Sequence, residues 1–248
     1  MNAYTGFAAI YDEFMDNVPY DDVADYLEGL LESYGIPKGL LLELGCGTGQ
    51  MCERMSRKGY DMIGVDSSAD MLSIANETNT GAILYLLQDM REFELYGTVG
   101  AAFAVTDTMN YITSSEDFLE VLRLVNNYLD PGGIFVFDMK TDYFFREVLQ
   151  DSTFAENRED ASIIWENTYD PERKLNEYAL TIFAKEGNGL FRKEEEFHYQ
   201  RAYDTEEIKE LVKKAGLSFV DAFTAYTKNP ASECQDERIY FIVKECGK

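Results

Sequence analysis

The stretch from Leu40 to Gly49, LLLELGCGTG, constrains the fold of this chain more than any other. Its leucines are too continuous for a half-exposed strand, so they read as a strand buried on both faces, the habit of a parallel sheet. The run ends in an acid, Glu43, followed by Gly45, Gly47 and Gly49 alternating with small residues. Glycine adopts positive φ at little steric cost and lets the backbone come close to a ligand. A strand, a glycine turn and then a helix over 50–58 is how an open α/β sheet presents backbone to a nucleotide-like ligand. The spacing here is G-x-G-x-G. The dinucleotide fingerprint G-x-G-x-x-G would require Gly or Ala at position 50, which is Gln.

Strand and helix patterns alternate from this point. Strands are expected at 40–44, 61–66, 82–87, 99–105 and 134–138, with helices at 50–58, 69–77 and 115–128. Asp130-Pro131-Gly132-Gly133 reads as a turn before the fifth strand. Upstream, residues 3–34 read as two helices parted near Pro19, with Phe7, Ile10, Tyr11 and Phe14 on one face. After Lys140 the pattern changes. A short helix at 141–149 precedes three period-two segments, 161–169, 175–185 and 190–203, parted by Asp170-Pro171 and Gly187-Asn188-Gly189. Such alternation with short turns predicts an antiparallel meander. A helix capped by Asp204 or Thr205 and ended by Gly216, then strands 218–226 and 238–244, close the chain.

The expected fold is therefore α/β: a Rossmann-like, mixed seven-stranded sheet, mostly parallel with an antiparallel last strand. It carries an N-terminal helical cap and an inserted antiparallel β-meander. The corresponding units are residues 1–37, a core of 38–140 with 204–248, and the insertion 141–203, which would cover the substrate.

Composition excludes more than it identifies. A net charge of −24, from 22 basic and 46 acidic residues, leaves little from which to build a basic face, which argues against a nucleic-acid partner. One histidine and four scattered cysteines give neither a zinc pattern nor a disulfide framework, so no metal is expected. The N-terminus lacks a secretory pattern and no apolar run is long enough to span a bilayer. A cytoplasmic protein without a membrane partner is the expectation; oligomeric state is unreadable.

Ligands of open α/β sheets sit beyond the carboxyl ends of the strands. The second strand ends in Asp66 within GVDSS, about twenty residues past the first glycine, where an acid can accept hydrogen bonds from ribose hydroxyls. The third runs into LLQDM (Asp89, Met90), the fourth into VTDTMNY (Thr106, Asp107, Asn110), and the fifth into FDMKT. In these motifs, and in FAAIYDEFM and ERIYFIVK at the two ends, the chain resembles the class I S-adenosylmethionine-dependent methyltransferases of the bacterial small-molecule type. The resemblance implies S-adenosylmethionine as cofactor and S-adenosylhomocysteine as product. Glu43 would hold the amino-acid end of the cofactor, beside Gly45, Gly47 and Gly49. Asp66 with Ser67 would take the ribose, Asp89 the adenine amine, Met90 the ring, and Thr106 would sit at the pocket mouth. The expected reaction moves a methyl group to a nitrogen or oxygen of a small-molecule acceptor by in-line displacement.

Alignment and water exclusion are the main tasks for a protein in such a displacement, and a general base is required only where the acceptor must lose a proton. His198, the sole histidine, in EEFHYQRAY, and Tyr11 in the cap are the candidate catalytic residues, with Tyr4 and Asp12 as neighbours. His198 and Tyr199 fall on opposite faces of their strand, so one of them at most faces the site. TDTMNY lacks the proline pair of DNA amino-methyltransferases, which agrees with the missing basic surface. Two rivals remain at this stage: a non-catalytic cofactor-binding module and an NAD-dependent oxidoreductase that would use Asp66 on its own ribose.

Overall fold

The computed structural model describes residues 8–187 and 189–248. Tyr4 and Phe7 lie outside the described residues. The chain opens with helices α1 (Ala8–Phe14) and α2 (Tyr20–Ser33). Then come β1 (Leu40–Leu44), α3 (Gln50–Arg57), β2 (Asp61–Asp66), α4 (Ala69–Thr78), β3 (Ile83–Leu87) and β4 (Val99–Ala104). A 3₁₀ turn at Thr108–Tyr111 leads to α5 (Ser115–Tyr128) and β5 (Leu129–Lys140). These strands and the last two, β10 (Leu217–Thr224) and β11 (Arg238–Glu245), form one seven-stranded sheet in the order β10-β11-β5-β4-β1-β2-β3. β11 alone runs antiparallel to its neighbours, β5 on one side and β10 on the other. The mixed sheet with its reversed final strand is the architecture read from the sequence.

Two apolar layers explain why the strands are so continuously hydrophobic. Phe135 and Phe137 of β5 and Phe241 of β11 stack on one face, with centroids 5.0 and 5.2 Å apart. Phe118, Val121 and Leu122 of α5 join them, as do Ile208 and Val212 of α6 (Thr205–Lys214). The alternate residues, Ile134, Val136 and Ile242, meet Leu27, Leu30 and Leu31 of α2 and Met51, Cys52 and Met55 of α3 on the other face. Period-two alternation sends successive residues to opposite faces, so a strand covered on both sides must be apolar throughout.

A second sheet holds β6 (Thr153–Asn157), β7 (Ala161–Asp170), β8 (Leu175–Lys185) and β9 (Phe191–Arg201), all antiparallel in that order. β6 was not expected. All five of its residues are exposed, so no face imposes a hydrophobic period on TFAEN. The turn at 130–133 is a bulge inside β5 rather than a break before it, because Leu129 already pairs with Val99 and pairing resumes at Ala101 and Ile134. Residues 144–149 wind as a π-helix. Asp204 occupies the N-cap position of α6 but makes no capping bond. Its carboxylate is held by Lys174 instead, both oxygens at 2.5 Å. Among the described residues no helix is long and apolar enough to cross a membrane.

Candidate active site

Strand order reverses between β1 and β4, and a pocket of about 400 Å³ opens beyond their carboxyl ends. Tyr11, Gly45, Gly47, Asp66, Ser67, Asp89, Met90 and Thr106 all line it. A depression of about 480 Å³ elsewhere, among Phe145, Gln150, Tyr169 and Pro171, contains none of these strand-end residues.

The glycine turn is shaped by sterics. Gly45, Gly47 and Gly49 have φ of +67°, +52° and +80°. A Cβ at Gly45 would stand 2.4 Å from Thr108 Cγ2, and one at Gly49 would stand 2.2 Å from Tyr85 Oη. Gly47 meets nothing within 4 Å, so its missing side chain leaves open space toward the pocket. Gly49 itself supports the start of α3 and packs beneath the turn. Gly45→Ala combines a disfavoured left-handed φ with a clash, so a loss of about 2–4 kcal/mol in unfolding free energy is expected, readable by urea denaturation.

Asp66 staples the turn to the next helix. Its Oδ2 accepts from Gly47 N–H and its Oδ1 from Ser68 N–H, both at 2.8 Å. The helix cap is Ser68, whose hydroxyl accepts from Met71 N–H, so Asp66 is spared that role. Burial pushes its carboxyl upward, against the pull of those N–H donors. Asp89 is held differently: Arg91 grips both carboxylate oxygens and keeps it below the usual carboxylate range. The position expected to meet the adenine is thus already ion-paired. α1 is tied onto the glycine turn by Asp12, which accepts from Thr48 Oγ1 at 2.7 Å and from Gln50 Nε2 at 3.0 Å. That places half-buried Tyr11 at the pocket, where burial and the Tyr20 and Tyr111 phenols push its hydroxyl well up. A phenol so raised keeps its proton and can donate a hydrogen bond into the pocket.

Glu43 sits behind the turn, 4% exposed, with Cys52 donating to its carboxyl and Oε2 unpartnered among the described residues. Burial raises its pKa to about 8 from an ordinary value of 4.5. Between these values the folded chain holds a proton that the unfolded chain has released, so stability falls as pH rises through that window. Glu43→Gln removes this slope. Relative to wild type, the variant should gain about 1–3 kcal/mol at pH 8 and little near pH 4.5, measured by urea melts across the range.

Two mouth residues turn inward. Asn110 is fully buried, and its amide donates to the Lys140 and Arg201 carbonyls at 3.1 and 2.9 Å and accepts from Lys140 N–H. Asp107 is ion-paired at 2.7 Å to Lys140 and at 2.6 Å to Arg238, and Arg238 reaches Asp138 as well, also at 2.6 Å. The Asp138 carboxylate accepts the N–H groups of Thr106 and Asp107, which hold successive φ of +60° and +70°. Left-handed φ is strained for a β-branched threonine, and the buried acid filling this nest of two N–H groups sustains it. No local pattern announces this four-charge cluster, since its members lie on three separate segments.

His198 does not line the pocket directly. It is buried, with Nδ1 3.3 Å from Tyr111 Oη, and Tyr111 is a lining residue. Its Nε2 is 3.1 Å from Glu196 Oε2. Tyr199, on the opposite strand face, is 44% exposed, as the alternation required. Tyr111 and Glu196 were missed. The period of β9 would have found Glu196, two residues from His198, but nothing local announces a tyrosine on a 3₁₀ turn.

Comparison with known proteins agrees with this geometry. A family model described as a methyltransferase domain matches residues 41–133. The putative methyltransferase YqeM of Bacillus subtilis is 34% identical over 96% of this chain and 95% of its own. A crystal structure of an S-adenosylmethionine-dependent methyltransferase from Clostridium acetobutylicum shares 28% identity and a TM-score of 0.86, covering 99% of this chain and 100% of that one. A dTDP-3-amino-3,4,6-trideoxy-α-D-glucopyranose N,N-dimethyltransferase of Streptomyces venezuelae is 28% identical over 52% of each chain. With the glycine turn, the strand-end acids and a full-length relative in agreement, this chain belongs to the class I S-adenosylmethionine-dependent methyltransferases and is an enzyme of that family.

Proposed function

We propose that the enzyme transfers a methyl group to a nitrogen or oxygen of a small-molecule acceptor, using the pocket at the β1/β4 switch point. The observation that carries this reading is the pairing of an unpartnered, buried Glu43 oxygen with an open Gly47 and a pocket-lining Asp66. These groups fit S-adenosylmethionine: the Glu43 carboxylate suits its ammonium, and the bare backbone at Gly47 leaves room for its amino-acid end. Asp66, with Ser67 beside it, would accept from the ribose hydroxyls. Asp89 and Met90 would border the adenine, with Thr106 across the pocket. When bound, the cofactor supplies the methyl group on a sulfonium, and the chain's part is to align the acceptor and exclude water. Tyr11 would donate a hydrogen bond to cofactor or acceptor, and His198 would serve the acceptor from behind the pocket wall. In this reading the cap (1–37) and the insertion (141–203) cover a core of 38–140 and 204–248. The amino-sugar activity in the name of the Streptomyces venezuelae relative favours a metabolite-sized acceptor over a macromolecule.

Calorimetric titration of the ligand-free protein with S-adenosylhomocysteine tests the cofactor half of this reading. Micromolar binding is the expected result, and a flat titration by folded protein would remove its basis. Radiolabelled methyl transfer to a panel of amines and hydroxyl metabolites tests the acceptor half.

A further inference from the structure

We propose that Tyr111 is the catalytic residue that receives the acceptor's proton, with His198 and Glu196 behind it as its proton exit. The inference rests on the methyltransferase reading above and assigns a path that reading leaves open. Tyr111 lies on the turn after β4 and lines the pocket at the switch point. Behind it stand an imidazole 3% exposed and a carboxylate 6% exposed, in line at 3.3 and 3.1 Å. Alternation along β9 brings Glu196 and His198 to one face, and the cross-strand partner of His198 is Tyr178.

The tautomer follows from the partners. An ionised carboxylate only accepts hydrogen bonds, so His198 Nε2 carries its hydrogen toward Glu196. Nδ1 is then a lone pair facing Tyr111, whose hydroxyl donates to it. A buried imidazole and carboxylate are costly on a sheet face that an aliphatic pair would fill. The other phenol of the pocket that meets Tyr111, Tyr11, is pushed upward and hydrogen-bonded to Tyr20. Of the acids on the acceptor side, Asp107 and Asp138 are taken by Lys140 and Arg238.

The proton bookkeeping closes. A hydroxyl gaining a methyl group must release its proton, and an amine that arrives as an ammonium must lose one before its nitrogen can attack. That proton passes to Tyr111 Oη while the phenol's own proton moves to His198 Nδ1. Tyr111 ends as a phenol and His198 as an imidazolium held against the Glu196 carboxylate, and the extra proton later leaves to solvent. Tyr111 would touch the acceptor, whereas His198 and Glu196 act through it as positioning residues.

Because the chain has one histidine, ¹⁵N-histidine labelling gives a single imidazole in the spectrum of untagged protein. The expected spectrum is that of the neutral Nε2–H tautomer, with an Nδ1 signal that shifts in Tyr111→Phe. The second arm compares binding of sinefungin and S-adenosylhomocysteine by calorimetry, since sinefungin places an amine where the sulfonium methyl would stand. Its preference over S-adenosylhomocysteine should fall about tenfold in Tyr111→Phe, and less in His198→Gln. Tyr199→Phe, on the outer strand face, should keep the wild-type ratio. An Nδ1–H tautomer, or an unchanged ratio in Tyr111→Phe with S-adenosylhomocysteine binding intact, overturns the relay alone. Failure of the wild type to bind S-adenosylhomocysteine would instead overturn the cofactor reading, and the relay with it.

Discussion

Arg238→Met is expected to lower the free energy of unfolding by about 3–5 kcal/mol, the usual cost of removing one partner from a buried ion pair. Arg238 faces two acids, Asp107 and Asp138, and Asp138 is 1% exposed. Without the guanidinium, Asp107 retains Lys140, but Asp138 is left with backbone N–H donors, the Tyr240 hydroxyl beside it and the repulsion of its neighbour, and no cation. The damage should reach the pocket, because Asp138 holds the strained backbone of Thr106, a lining residue. Urea denaturation would show the loss in stability. The double variant Asp138→Asn/Arg238→Met should lose less than the two single variants together, since it leaves no uncompensated charge. An Arg238→Met variant as stable as wild type would mean that the cluster contributes nothing net.

Asp66→Ala should weaken S-adenosylhomocysteine binding by about a hundredfold, or roughly 3 kcal/mol, the worth of two hydrogen bonds to a charged acceptor. Stability should change far less. Burial already works against this carboxylate, and removing it offsets part of the cost of freeing the Gly47 and Ser68 N–H groups. Asp66→Asn retains one acceptor oxygen and should fall between, at about tenfold. Calorimetry on all three proteins gives the affinities, and thermal melts check the fold. Equal affinity in wild type and Asp66→Ala would place the ribose elsewhere. With Glu43→Gln, the pair separates two expected behaviours: an acid that would bind the ribose at little cost to the fold, and one that would destabilise the ligand-free protein.

The strand-end lining of the pocket was legible because its residues are local in the chain. LLLELGCGTG, GVDSS and LLQDM each combine a strand, its end and the residues beyond it in fewer than a dozen positions. A parallel sheet delivers all such ends to one edge. The acceptor side was only partly legible. Tyr11 and His198 stood out as residue types, yet their surroundings did not. Tyr111 meets His198 across 87 positions, and Arg238 meets Asp138 across 100. Asp107 and Asn110 were read as facing the ligand because they follow a strand. A left-handed turn at Thr106 and Asp107 swings them into the interior instead, where Lys140, Arg238 and the Arg201 carbonyl wait. Asp89 was placed at the pocket, but its grip by Arg91 depends on rotamers that no spacing encodes.

The sequence by itself determined the α/β architecture, the glycine turn and the order of the strand-end acids. Hydrophobic period and glycine sterics act over a few residues, and a short window of sequence records them. Tertiary structure decided which polar side chains are paired and which are left open to a ligand. Whether an acid is a ligand contact, a buried counter-ion or a proton acceptor depends on the dielectric and the partners around it. Those partners come from strands far apart in the chain and are set only when the sheets close over them.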